Sequence, residues 1–85
     1  PSGAVVYPNP VSNAGTVQVR MNRSNGSNAA SIDWLDMQGR TVLSQRLDGQ
    51  PIPAPPIPGM YTVQLRNTSG TVFATDEVVV IRTAN

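Results

Sequence analysis

The chain has 85 residues, a formal net charge of +1 from six arginines and five acidic residues, and neither histidine nor cysteine. This composition excludes disulfides, thiolate or imidazole metal sites and nucleophilic triads, and we expect no cofactor and no catalytic site. The arginines are spaced along the whole chain, which argues against the clustered basic face of a nucleic-acid-binding domain.

The first residues have a linker-like composition and lack the charged and apolar regions of a signal peptide. No apolar run approaches the roughly 20 residues of a membrane-spanning helix. We therefore expect a piece cut from a longer protein, with a linker remnant over residues 1–4, one domain over 5–82 and a tail over 83–85.

Eight prolines and seven glycines interrupt the chain too often for long helices, and apolar residues alternate with polar ones as in half-buried strands. In chain order, strands are predicted at 4–7, 16–21, 30–36, 40–47, 61–66 and 72–82, with a seventh considered at 50–52. The pattern favours an all-β fold, an immunoglobulin-like antiparallel β-sandwich of six to seven short strands around Trp34. A small barrel is the second interpretation.

The connectors are rich in turn residues and proline. Segments 22–28 and 67–70 are predicted to link hairpins. The proline-rich segment 51–58 is predicted to be a rigid connector between the sheets, with Ile52 and Ile57 against the core, in preference to a polyproline II ligand for another protein.

The acidic residues are predicted to have structural roles. Asp36 begins a four-residue turn that ends in Gly39, where an aspartate accepts a hydrogen bond from the backbone two residues on. A calcium site built from Asp33 and Asp36 is the alternative. Asp76 and Glu77 are predicted to lie on a solvated strand edge, where charge discourages aggregation.

Three short signatures fix the backbone at separate points of the chain. They are Tyr7-Pro8-Asn9-Pro10, Asp36-Met37-Gln38-Gly39-Arg40 and Gly59-Met60-Tyr61-Thr62-Val63. Proline locks φ in the first, Gly39 can supply a positive φ in the second, and Gly59 is expected to relieve crowding before a strand. With the valine-rich segment 78–82 after them, they resemble the C-terminal sorting domain of the type IX secretion system (Por secretion system) of Bacteroidetes, over residues 5–82.

The resemblance implies a non-enzymatic signal that carries an already folded cargo, fused on its N-terminal side, from the periplasm across the outer membrane. Its partners would be the type IX machinery and a surface peptidase that removes the domain, so that the cargo ends at the cell surface or outside the cell. We predict that the machinery recognises the last strand as an exposed edge that adds to a partner's sheet. The residues of this edge are Val78, Val79, Val80, Ile81 and Arg82. Unpaired edges would also allow two copies to form a homodimer.

Two other functions stay open. An immunoglobulin-like or fibronectin-like accessory module of a secreted hydrolase would bind carbohydrate or space domains apart. Against carbohydrate binding, the alternation predicts that Trp34 and Tyr61 are buried and so unable to form an exposed aromatic platform. An adhesin or stalk repeat would have further copies upstream.

Overall fold

Two sheets form the part of the chain that the structure describes, residues 4–21 and 29–83 of a computed structural model. Their strands are Ala4–Tyr7 (β1), Val11–Ser12 (β2), Thr16–Met21 (β3), Ser31–Leu35 (β4), Thr41–Arg46 (β5), Ile52–Pro53 (β6), Gly59–Arg66 (β7) and Val72–Ile81 (β8). One sheet has the order β1-β3-β6 and the other β2-β8-β7-β4-β5, and the described ranges contain no helix. The predicted all-β sandwich is confirmed.

The core follows the alternation of the longer strands. In β7, Tyr61, Val63 and Leu65 are buried, and Ile32 and Trp34 of β4 have no exposed surface. Every second residue of a strand points to the same face, so these side chains meet on the inner face of the larger sheet. The Trp34 ring lies edge-on to the Tyr61 ring with centroids 6.0 Å apart. Both aromatic side chains are therefore buried, as predicted.

Two details differ from the prediction: the structure has eight strands where six to seven were expected, and one strand pair is parallel. The structure adds β2, which pairs parallel with β8 through Val11 opposite Val80. A two-residue strand is too short to show alternation, so the sequence offers no periodic signal for it. The seventh strand does exist, but it lies at Ile52–Pro53, at the edge of the smaller sheet where proline is tolerated.

One predicted connector is not described, and one differs from its prediction. Segment 22–28, predicted to link a hairpin, lies outside the described residues. In the proline-rich segment, Ile52 packs against the core, whereas Ile57 is 69% exposed. Ala54 and Pro55 fill the inner position instead. The segment therefore exposes Ile57 and buries the smaller Ala54 and Pro55.

Candidate recognition surface

The opening signature covers the outer edge of β8. The side chain of Asn9 donates from Nδ2 to the carbonyl oxygen of Glu77 at 2.8 Å, and its Oδ1 accepts from the backbone N–H of Val79 at 2.9 Å. One asparagine thus replaces the donor and the acceptor that a neighbouring strand would supply. The peptide bonds before Pro8 and Pro10 on either side of Asn9 are both cis.

The cover continues past Asn9 to the end of the described chain. After the parallel pair of β2 and β8, the backbone N–H of Asn13 donates to Ile81 O at 2.8 Å. The Asn13 side-chain Oδ1 accepts from the Thr83 N–H at 3.0 Å, and the hydroxyls of Ser12 and Thr83 share a hydrogen bond. The edge of β8 is therefore occupied from Glu77 to Thr83.

This cover corrects the prediction that the last strand is a free edge. Asn9 and β2 occupy the edge of β8 over residues 77–81, so its backbone there cannot pair with a partner's strand without displacing them. Val78 and Val80 are buried in the core. The side chains of this segment that face solvent are Val79, Ile81 and Arg82.

Tyr7 lies apart from the end of the larger sheet. Its hydroxyl donates to Gln18 Oε1 at 3.3 Å across the β1–β3 pair, and the Arg20 guanidinium lies 5.8 Å from its ring centroid. Such a distance allows a cation–π interaction. Tyr7 therefore contributes to the outer face of the smaller sheet, while Asn9 of the same signature contributes to the larger one.

The second signature forms the turn between β4 and β5. Oδ1 of Asp36 accepts from the backbone N–H groups of Gln38 and Arg40, both at 2.9 Å, as predicted for an aspartate in a turn. Its Oδ2 pairs with the Arg40 guanidinium at 2.9 Å. These hydrogen bonds, the Arg40 backbone N–H first, hold the pKa of Asp36 below its ordinary value. Gly39 has φ +84°, the left-handed conformation that the prediction required.

The calcium alternative is not favoured by the geometry. Asp33 pairs with Arg66 at 2.9 Å and accepts from the Ser44 hydroxyl at 2.7 Å. Burial raises the pKa of Asp33, but the bonds from Arg66 and Ser44 outweigh it, and the net shift is downward. No cluster of three acidic residues suited to a metal ion occurs among the residues described.

In the third signature, Tyr61 is buried and Met60 is exposed. The Tyr61 hydroxyl donates to Ile57 O, and burial, with the charge of Asp36 second, raises the pKa of the phenol. The expected role of Gly59 was wrong, because a Cβ there would meet only the Tyr61 ring at an ordinary 3.8 Å. Nothing in the structure explains a glycine at this position.

Exposed apolar side chains gather on the outer face at this end of the larger sheet. Met60 and Val79 are cross-strand partners, and Ile81 follows two residues later on the same face. They are 48%, 36% and 47% exposed. We call Met60, Val79 and Ile81 the apolar strip. Apolar residues that lie together on a surface are typical of interaction sites.

A cleft of about 280 Å³ adjoins the strip. Leu35 of β4, Met37 of the turn and Met60 of β7 form its apolar walls, and Glu77 of β8 lies at its side. We call it the Glu77 cleft. Segments far apart in the sequence, around positions 36, 60 and 78, are thus neighbours in the fold. Asn9 hydrogen-bonds to the segment around position 78.

Sequence reasoning missed the polar contacts of four residues: Asp33, Asn9, Asn13 and Asp76. It did not pair Asp33 with Arg66, and it did not assign partners to Asn9 or Asn13. Asp76 was assigned to a solvated edge, but its Oδ2 accepts from the backbone N–H of Val6 at 2.9 Å and so joins β8 to β1. Only the cross-strand register could have indicated the first pair, because Asp33 and Arg66 lie on adjacent, paired strands.

A larger cleft of about 640 Å³ lies elsewhere, between β3 and the loop that follows β5. Val17, Val19, Met21, Leu47 and Ile52 line it together with uncharged polar residues. None of the residues that line it is ionisable. The cleft next to the signatures is therefore the smaller of the two, and it is the one with charged residues in its walls.

The fold and this surface define a class of protein, a small β-sandwich module whose sequence signatures form one end of the larger sheet. Comparison with protein families matches residues 5–81 to the secretion system C-terminal sorting domain. The chain belongs to this family of type IX secretion sorting domains, as its resemblance predicted. Comparison with curated proteins gave no match.

Membership of this family indicates the general function of the chain. The family is a sorting-signal family of Bacteroidetes and not an enzyme family. A type IX sorting domain acts with the type IX machinery and directs export to the cell surface or outside the cell. Within residues 4–21 and 29–83 no helix is long and apolar enough to cross a membrane.

Proposed function

We propose that this chain carries a cargo, fused on its N-terminal side, from the periplasm across the outer membrane, and that a surface peptidase of the secretion system then removes it. The single observation that supports a recognition role is the apolar strip, which the fold exposes beside three signatures instead of burying it. In this proposal residues 5–82 act as one folded module, and residues 83–85 are a tail.

The recognised residues remain those of segment 78–82, but the mode of recognition changes. Since Asn9, β2 and Asn13 occupy the backbone edge of β8, the partner reads outward side chains and does not add a strand. Val79, Ile81 and Arg82 make the contact, and Val78 and Val80 anchor them to the core. The covering segment thereby prevents strand addition at this edge of β8 and leaves its outward side chains free for contact.

Homodimerisation is a secondary proposal. In the larger sheet, β5 is the terminal strand opposite to β2, and among the described strands it pairs only with β4. It has six residues with one charged side chain, Arg46, and no proline. Strand edges of this kind are the ones that pair with another chain. Two copies would therefore pair through β5 and leave the apolar strip free for the machinery.

The experiment fuses the chain to a periplasmic reporter in a host with a working type IX system and measures the reporter outside the cell. Val79→Asp is the test variant, since it places a charge in the apolar strip. Val42→Asp is the matched control, because Val42 is also an exposed strand valine, at 47%, but lies on β5. We expect Val79→Asp to lower export about tenfold, as loss of a contact residue at an interface does, and Val42→Asp to leave it unchanged.

The folded state of both variants is checked by the near-ultraviolet circular dichroism of Trp34, which is fully buried. Equal export by the two folded variants would refute recognition through the strip. Intracellular retention of the reporter fused to the unchanged chain would refute the secretion signal itself.

A further inference from the structure

The Glu77 cleft has the shape of a site for one long side chain. Its walls are the side chains of Leu35, Met37 and Met60. Two of these are methionines, whose flexible thioethers adapt to different apolar surfaces. Met37 is 76% exposed at the tip of its turn, so the wall that it forms can move. Such walls can accommodate the aliphatic stem of a long side chain.

The charge at the cleft is negative and incompletely neutralised. Two ion pairs occur among residues 4–21 and 29–83, Arg40 with Asp36 and Arg66 with Asp33, and neither involves Glu77. Asp36 also lines the cleft, and its charge contributes to the raised pKa of the Tyr61 phenol. A cation that enters the cleft would therefore meet one unpaired carboxylate and the field of a second.

Apolar walls together with an unpaired carboxylate select a ligand that has an aliphatic stem and a cationic head. Lysine and arginine are the two side chains with both parts, and they commonly lay the stem along apolar surface while the head stays in a polar setting. We infer that the Glu77 cleft binds a lysine or arginine side chain of a protein of the secretion machinery. The inference rests on the proposed function, because that function supplies the protein partner.

Protein is the favoured source of the side chain because the cleft opens onto the apolar strip. Met60 belongs to both, as a wall of the cleft and as the cross-strand partner of Val79. A partner that covers the strip with apolar residues brings its basic residue to Glu77 at the rim, the arrangement of apolar centre and polar rim found in protein interfaces. The strip supplies contact area, and the cleft supplies specificity.

The first test uses small probes and the 85-residue chain alone. Capped lysine, N-acetyl-lysine-N-methylamide, is titrated while the backbone amides of Met60, Thr62 and Glu77 are followed by NMR. Capped norleucine is the matched probe, with the same stem and no charge. We expect lysine to shift these amides more strongly than norleucine. Glu77→Gln should weaken lysine about two- to fivefold, the size of a partly exposed ion pair, and should leave norleucine unchanged.

The second test uses the secretion assay. Glu77→Lys should lower export, because it places a cation where the partner's cation binds, and Glu77→Asp should retain it. Asp48→Lys is the matched control: it makes the same change of charge at an exposed residue of the loop after β5. Failure of the unchanged chain to export the reporter would count against the proposed function alone, since the probe titration still decides what the cleft binds.

Two results would overturn the inference. One is a lysine probe that binds no better than norleucine, or that binds equally to Glu77→Gln. The other is concentration-dependent self-association, measured by sedimentation, that Glu77→Gln abolishes, because the cleft would then hold an arginine of a second copy.

Discussion

Two turns at different places in the larger sheet share one design. Residues 36–40 join β4 to β5, and residues 67–71 join β7 to β8. In each, the first residue's Oδ1 accepts from the backbone N–H groups of the third and fifth residues, at 2.9 Å in one turn and 3.0 Å in the other. In each, the fourth residue is a glycine with positive φ, +84° for Gly39 and +86° for Gly70.

The turns differ in what they add to this design. The first has a charged Asp36 paired with Arg40 and an exposed Met37 at its second position, where the other turn has Asn67, Thr71 and Thr68. Since the second turn closes the same way without these groups, the fold does not need them. Under the proposed function they contribute to the recognition surface, and the turn at 67–71 serves as an internal control for that proposal.

The largest effect is expected from replacing the glycine with positive φ that both turns share. Gly39→Ala and Gly70→Ala should each lower the free energy of unfolding by about 1–2 kcal/mol, because alanine pays for the left-handed conformation. The cost is conformational alone, since a Cβ at either glycine would meet nothing within 4 Å. Urea unfolding followed by Trp34 fluorescence measures it. Clearly unequal losses would show that the two turns are not equivalent.

The next largest effect is expected from removing the side-chain oxygen that accepts two backbone hydrogen bonds in each turn. Asn67→Ala should lower the free energy of unfolding by about 1 kcal/mol, because two backbone N–H groups lose their side-chain partner. Asp36→Ala should lower it in the same direction, and the exposed ion pair with Arg40 should add little. Asp36→Asn, which copies the second turn, should restore most of the loss. If asparagine is no better than alanine at position 36, the charge and not the turn design stabilises that turn.

A smaller effect is expected on the pH dependence of stability, which should differ between the two turns. The folded-state pKa of Asp36 is lowered, so its carboxylate contributes stability above its unfolded pKa of about 3.9, and this is lost as pH falls through the folded value. Asp33 shifts in the same direction. Asp36→Asn should therefore lose less stability than the unchanged chain as pH falls below the unfolded pKa of about 3.9. The control Asn67→Asp should lose more.

The substitution with the smallest expected effect on stability, Met37→Thr, tests function most directly. Met37→Thr makes the first turn resemble the second and should change the free energy of unfolding by less than about 0.5 kcal/mol, as exposed substitutions do. Export of the reporter should fall, because a wall of the Glu77 cleft is lost. The reciprocal change, Thr68→Met, should leave both quantities unaltered. Normal export by Met37→Thr would remove Met37 from the recognition surface.

Prediction from sequence succeeded where the cause is local. The alternation in β4 and β7 identified Trp34 and Tyr61 as buried, and the spacing of Asp36 and Gly39 identified the turn. It failed for β2, which is too short to alternate, and for Ile57, whose place in the interior is taken by Pro55. The free edge assigned to 78–82 failed for a third reason: the groups that cover it are side chains of the opening signature.

The sequence alone determined the all-β class, the hairpin turns and the family, because periodicity, turn chemistry and the order of short signatures act over a few residues. Only the tertiary structure decided which edge of the larger sheet is covered and which side chains form its exposed end. Asn9 and Val79 are 70 positions apart, and Asn13 and Thr83 are separated by the same distance. No local pattern encodes such a contact, because it exists only once the packing of two sheets has brought the ends of the chain together.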